Sequence, residues 1–303
     1  MVSDSKKTVR EDFVQENSSC CGASSISTAD DDIKHTVREG YGRIAKQSGS
    51  CCGSTDTWMD VDLQKTMSKK IGYTDEELSE VPADANLGLG CGNPVALASL
   101  KEGEVVLDLG SGPGLDCFLA ANKVAAKGKV IGVDMTPEMI ERARKNAKNG
   151  NYENIEFRLG EIENVPVADN SVDIIISNCV INLSPDKEKV FREAFSVLKP
   201  GGRFMISDLV LSKELPSAIT QSIEAYIGCI SGALLKETFI KTIKAAGFQE
   251  VKIIDEKSFP IELMANDPMA KSIVNDLKMP LEEVIEVTNN AILSINVYGV
   301  KPV

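Results

Sequence analysis

Val105-Val106-Leu107-Asp108-Leu109-Gly110-Ser111-Gly112-Pro113-Gly114 begins as an apolar run and breaks abruptly into glycine and proline. The apolar part suits a buried strand. The glycines permit a sharp reversal and let another molecule approach the backbone with no Cβ in the way. Residues 115–126 then read as a helix, so the segment is strand, turn, helix, and backbone amides at the helix start face any ligand seated on the turn. Working outward, strands are expected at 104–109, 129–134, 154–159, 172–177 and 203–207. Helices at 137–148 and 187–198 separate them, the first with Pro137 in its opening turn, the second closed by Lys199-Pro200-Gly201-Gly202. Ile174-Ile175-Ile176 is apolar on both faces, as a central parallel strand should be. Strands alternating with helices predict an α/β fold, a doubly wound parallel sheet covered on both faces.

The flanks read differently. Residues 1–75 form a polar, cysteine-bearing arm, expected to be flexible apart from one helix near 33–46. Thr74-Asp75-Glu76-Glu77 carries helix-start signals, and Gly88-Leu89-Gly90-Cys91-Gly92-Asn93-Pro94 is a loop. Residues 76–210 hold the alternating core, and 211–303 form an α+β extension capping it. Within that extension helices are expected at 216–227, 236–246 and 267–277, and the β-rich runs 249–254 and 291–300 could add a hairpin to the sheet edge.

Composition excludes several functions. The net charge of -12 opposes nucleic acid, and no dense basic run offsets it. No apolar window approaches the roughly 18 residues of a membrane span. The polar first residues do not read as a signal peptide, and a cytoplasmic location is expected. The 8 cysteines should then be free thiols. There is no C-x-x-C and only one histidine, His35, so no structural metal is expected.

Three neighbours of the turn bear on its ligand. It reads G-x-G-x-G rather than the dinucleotide G-x-G-x-x-G. Asp108 at the strand end would repel a pyrophosphate but suits the ammonium and sulfonium of S-adenosylmethionine. Asp134 ends the next strand, where a carboxylate can take both ribose hydroxyls, and Met135 beside it can cover the adenine. Glu161 and Ile162 follow the third strand, where they can read the adenine edge. Over residues 88–210 the chain resembles the class I S-adenosylmethionine-dependent methyltransferases, which implies their Rossmann-like fold. Its expected cofactor contacts are Asp108, Gly110, Ser111, Gly112, Gly114, Asp134, Met135, Glu161, Ile162 and Asn178.

The fourth strand ends in Asn178-Cys179-Val180-Ile181-Asn182-Leu183-Ser184-Pro185-Asp186-Lys187, and Gly228-Cys229-Ile230-Ser231-Gly232-Ala233 reads as a loop over the same pocket. With Tyr41-Gly42-Arg43-Ile44-Ala45 ahead of Cys51-Cys52, these stretches look like the arsenite methyltransferases. That resemblance implies trivalent arsenic held as substrate by Cys179 and Cys229, joined during turnover by Cys52 or Cys51, with Cys52 preferred. It implies arsenite or its thiol conjugates as acceptor and a dithiol reductant such as thioredoxin or glutathione as partner. Soft thiolates match soft arsenic(III), and with its one histidine in the arm the chain suits an acceptor that needs no histidine base. Cys91 and Cys117 read as packing, and Cys20-Cys21 has no assigned part. Two alternatives stay open: a methyltransferase for a quinone-like or other small carbon acceptor, and a non-catalytic metalloid-binding protein.

Overall fold

A computed structural model describes residues 28–47, 61–220, 222–259, 288 and 291–303. Its centre is a seven-stranded sheet in the order β3-β2-β1-β4-β5-β7-β6. The strands are β1 (Val105–Leu109), β2 (Lys129–Asp134), β3 (Ile155–Leu159), β4 (Val172–Asn178), β5 (Leu198–Leu211), β6 (Gln249–Ser258) and β7 (Ile292–Val300). The first five in chain order run parallel, and β7 lies antiparallel between β5 and β6. The chain steps outward from β1 through β2 to β3, then returns to the other side of β1 with β4. That reversal opens a crevice at the carboxyl ends of β1 and β4, where open α/β sheets take their ligands.

Helices precede and cover the sheet: α1 (Thr28–Gln47), α2 (Val61–Lys70), α3 (Asp75–Ser79), α4 (Pro94–Leu97), α5 (Leu115–Val124), α6 (Pro137–Asn149), α7 (Lys187–Val197), α8 (Ser217–Thr220), α9 (Ile223–Ile227) and α10 (Lys236–Ala245). Side chains of β1 alternate between two cores. Val106 joins Ile140 and Phe118 of α6 and α5, whereas Leu107 and Leu109 join Phe191 and Phe239 of α7 and α10. Burying each such side chain contributes roughly 1.5–3 kcal/mol relative to exposure. Thr74 and Glu77 cap α3 reciprocally, backbone amide to side chain at 3.2 and 3.0 Å, as the acidic helix-start run suggested.

Three expectations are revised and a fourth is refined. The arm helix is longer than 33–46, because its apolar face packs along α6 and α9. β5 runs beyond 203–207 at both ends: Val172 pairs with Leu198, and β7 continues the ladder from Arg203↔Val300 to Leu211↔Ile292. The helix expected over 216–227 is two short ones, α8 and α9. The hairpin does join the sheet, with the later strand inside and β6 at the edge. The helix expected at 267–277 lies outside the described residues. No described helix is long and apolar enough to cross a membrane.

Candidate active site

The turn after β1 is held by the neighbouring strand. Gly110 and Ser111 donate their amides to the Val133 carbonyl at 2.8 and 3.0 Å. Gly112 donates to Asp134 Oδ2 at 3.0 Å, and Thr136 donates to Asp134 Oδ1 at 2.8 Å. Asp134 therefore braces the turn while facing the cavity above it. Gly110 has φ 70° and would bring a Cβ to 2.4 Å from Val180, so only glycine fits. Gly112, at φ 50°, faces open space.

One wall of the cavity is acidic. Asp108, Asp116 and Asp134 all line it. Burial raises all three carboxyls, Asp116 to about 6 and Asp108 well above its usual range, the latter pushed further by Asp116 itself. Such a wall favours a cationic ligand, whose charge would pull the carboxyls back to their ionised form. Asp116 Oδ1 accepts from the Tyr73 hydroxyl at 2.7 Å, and Asp116 Oδ2 from Asn178 Nδ2 at 3.2 Å. Cys117, expected as packing, is fully buried and donates its thiol to Asp108 Oδ2 at 3.2 Å.

The opposite wall carries thiols. Cys179 follows β4 directly, its amide donating to the Ser207 carbonyl at 2.8 Å. Cys229 stands on the loop after α9 and donates its thiol to the Cys179 carbonyl at 3.0 Å. Both residues have left-handed backbones, φ 57° and 63°. For side chains other than glycine this costs about 1–3 kcal/mol each and persists only where the surroundings enforce it. Gly232 supplies part of that enforcement: a Cβ there would meet the Asn182 carbonyl at 2.1 Å, so the Cys229 loop packs hard against the segment after Cys179.

Cys91 is buried, as its packing reading expects, but the sequence did not place it beside Cys179: one ligand atom each of Cys91, Cys179 and Asp208 lie within 4.8 Å of one another. The available signal was its position between Gly90 and Gly92. A Cβ at Gly92 would strike the Ser207 hydroxyl at 2.7 Å, and at Gly90 the Asn178 amide at 3.0 Å, so both glycines let the loop press Cys91 against the ends of β4 and β5. Tyr41 of α1 was likewise quoted only as a motif residue; its hydroxyl lies 4.0 Å from Cys229 Sγ and 3.3 Å from the Ile227 carbonyl.

These sulfurs are held as neutral thiols. Burial raises Cys91 to about 11. Cys229 rises well above its usual value through its hydrogen bond with Cys179 and through burial. Cys179 rises too: its bond with Cys229 lowers it, but the bond with Cys91 and burial outweigh that. Asp208, buried behind them, is raised to about 7 by burial, against the pull of the Leu209 amide and the Lys187 charge. Since thiolate is the reactive form, iodoacetamide labelling of Cys91, Cys179 and Cys229 should climb about tenfold per pH unit from pH 7 without levelling off below pH 9. Peptide mass mapping over a pH series checks this residue by residue, and a plateau near neutral pH at any of the three would contradict it.

Most of the expected cofactor contacts converge here: Asp108, Gly110, Ser111, Gly112, Asp134, Met135, Ile162 and Asn178 all face the cavity. Two do not. The Glu161 carboxylate is taken by Lys34 at 2.7 Å and Arg38 at 3.4 Å, both from α1, and the adjacent Glu163 faces the cavity instead. Gly114 packs behind the turn, where a Cβ would stand 2.8 Å from Phe118 and Phe157. Cys20, Cys21, Cys51 and Cys52 lie outside the described residues.

Comparison with known proteins bears on this arrangement. A model described as a methyltransferase domain matches residues 100–247. The crystal structure of an arsenic(III) S-adenosylmethionine methyltransferase from Chlamydomonas reinhardtii is 31% identical, with a TM-score of 0.57, over 80% of this chain and 74% of that one. The chain belongs to the arsenite methyltransferase family. Arsenite methyltransferases from Halobacterium salinarum and Aquipseudomonas alcaligenes are 44% and 40% identical, over 80% and 76% of this chain. The chain spans 66% of the length of each of these two. The fold is thus the Rossmann-like class I methyltransferase fold that the glycine turn and strand order implied.

The residues present fit S-adenosylmethionine. The Ser111 hydroxyl is buried, faces the cavity and has no partner among the described residues. The space above Gly112 is open, with no protein atom within 4 Å of where a Cβ would stand. An acidic wall for the ammonium and sulfonium, and a brace carboxylate at the end of β2 for the ribose, complete the match.

Proposed function

We propose that the chain transfers a methyl group from S-adenosylmethionine to trivalent arsenic held by cysteine thiolates, giving methylated arsenicals. The observation that carries this reading is that Cys179 and Cys229 line the same cavity as the glycine turn, with Cys91 beside Cys179 behind that lining. S-adenosylmethionine supplies an electrophilic methyl group and departs as a neutral thioether. Asp108, Asp116 and Asp134 hold its cationic and ribose ends, and Met135 covers the adenine. Cys179 and Cys229 hold the arsenic, Cys91 stands ready beside Cys179, and Cys52 (or Cys51) is the arm thiol that joins them. Three sulfurs on arsenic leave its lone pair directed at the methyl group, so alignment by the thiols takes the place of proton removal.

Transfer formally raises arsenic from the trivalent to the pentavalent state. Two cysteine thiolates can return the electron pair by forming a disulfide, and exchange with the dithiol of thioredoxin, or with two glutathione thiols, then restores them. Such a cycle belongs in a reducing compartment such as the cytoplasm. Arsenite, or its thiol conjugates, is the acceptor this site suits.

The test is direct. Full-length protein, reduced, is mixed with S-adenosylmethionine, arsenite and a thiol reductant, and arsenic species are separated with mass detection. Methylated arsenic is expected. Arsenite bound through the thiols but never methylated would favour a metalloid-binding protein, and turnover of a quinone-like acceptor without arsenic would favour the carbon-methylating alternative.

A further inference from the structure

Asn178 stands between the two walls of the cavity, and its side chain touches both. Its Oδ1 accepts the Cys91 backbone amide at 3.0 Å. Its Nδ2 donates toward three acceptors: the Gly92 carbonyl at 2.8 Å, the Tyr73 hydroxyl at 2.9 Å and Asp116 Oδ2 at 3.2 Å. Gly92 is on the thiol side, and Tyr73 and Asp116 are on the cofactor side. Asn178 also precedes Cys179 directly, so its backbone sets where that left-handed residue begins.

An amide nitrogen carries two hydrogens, and here they are divided among three acceptors. The division cannot satisfy all three at once. A cationic group that engages Asp116 withdraws one acceptor from the competition and leaves Asn178 to commit to Gly92 and Tyr73. The loop bearing Cys91 is then gripped at both its amide and its next carbonyl, beside Cys179.

We infer that Asn178 is a positioning residue that couples the two substrates, so that an occupied cofactor site tightens arsenic binding by the thiols through the Asn178 contacts to Cys91 and Gly92. This rests on the arsenic reading above. It goes further in giving Asn178 a task separate from contacting the cofactor. Coupling of this kind is reciprocal, so arsenite must tighten cofactor binding by the same factor.

The experiment measures arsenite binding to the reduced protein by equilibrium dialysis, with and without saturating S-adenosylhomocysteine, which cannot donate a methyl group. Calorimetry of S-adenosylhomocysteine with and without arsenite supplies the reciprocal arm. S-adenosylhomocysteine keeps the ammonium that can engage Asp116, so it should give the coupling without turnover. Wild type is expected to bind arsenite about tenfold more tightly with the cofactor site filled, within the usual range of such couplings. In Asn178→Ala the factor, taken as the ratio of each ligand's affinity with and without the other, should fall to within about twofold of unity, whatever the change in either affinity alone. Tyr73→Phe keeps the grip on Cys91 and Gly92 but removes one competing acceptor, leaving two acceptors for two hydrogens, and should lower the factor toward unity. It serves as the deciding variant if Asn178→Ala does not fold. Independent binding in wild type, or an unchanged factor in both variants, overturns the coupling alone. Failure of wild type to bind arsenite at all overturns the arsenic reading and this inference with it.

Discussion

Cys179→Ser should abolish arsenic methylation in practice, lowering the rate of product formation on the order of 10³-fold or more, or ~4 kcal/mol of transition-state stabilisation. The size of the loss follows from chemistry rather than packing. Serine has nearly the shape of cysteine and can keep the left-handed φ of 57° as well as the amide bond to Ser207. Its hard oxygen, however, is a poor ligand for soft arsenic(III). Binding of S-adenosylhomocysteine should persist, within the modest change expected if the coupling at Asn178 is weakened. A variant that retains methylation at near wild-type rate would remove Cys179 from the reaction.

The second large effect concerns the glycine turn, where two neighbouring glycines should fail in different ways. Gly110→Ala places a Cβ 2.4 Å from Val180 at φ 70°. The left-handed backbone costs roughly 1–2 kcal/mol and the overpacking about 1–3 kcal/mol more. Val180 adjoins Cys179, so the displaced side chain disturbs the thiol wall as well. Gly110→Ala should therefore lower the melting temperature and damage both cofactor and arsenic binding. Gly112→Ala meets no protein atom within 4 Å and bears only the backbone cost at φ 50°. It should melt close to wild type yet bind S-adenosylhomocysteine at least about tenfold more weakly, because the new methyl group occupies ligand space. Calorimetry with thermal melts separates the two; a Gly112→Ala protein with intact affinity would show that the ligand does not cross the turn there.

What could be read in the sequence depended on how local its cause is. Apolar runs locate β1, β2 and β4, the first of them ended by Gly110, because a buried parallel strand imposes its pattern on its own residues. Asp134, Met135 and Cys179 follow, since strand ends in this topology open on one crevice. The nearness of Cys91 to Cys179 was not legible, because it depends on contacts of Gly90 and Gly92 with Asn178 and Ser207, partners far along the chain. Glu161 and Glu163 lie on the same short reversal, and their different settings depend on distant partners: Lys34 and Arg38 of α1 hold Glu161, whereas Ser184 and Lys34 hold Glu163. The length of β5 was hidden for the same reason, its outer partner being β7, about 80 residues later.

That late partner has a consequence during synthesis. β7 is not an edge strand added to a finished sheet; it fills the slot between β5 and β6. At about 5–20 residues per second, roughly 4–16 s separate the emergence of β5 from that of β7. Through that interval the outer rim of β5 and the whole of β6 expose unpaired backbone, the kind of edge that recruits foreign strands. A newborn chain therefore passes through a sticky stage after its glycine turn and first five strands have been made, and a chain halted before Ile292 stays in it.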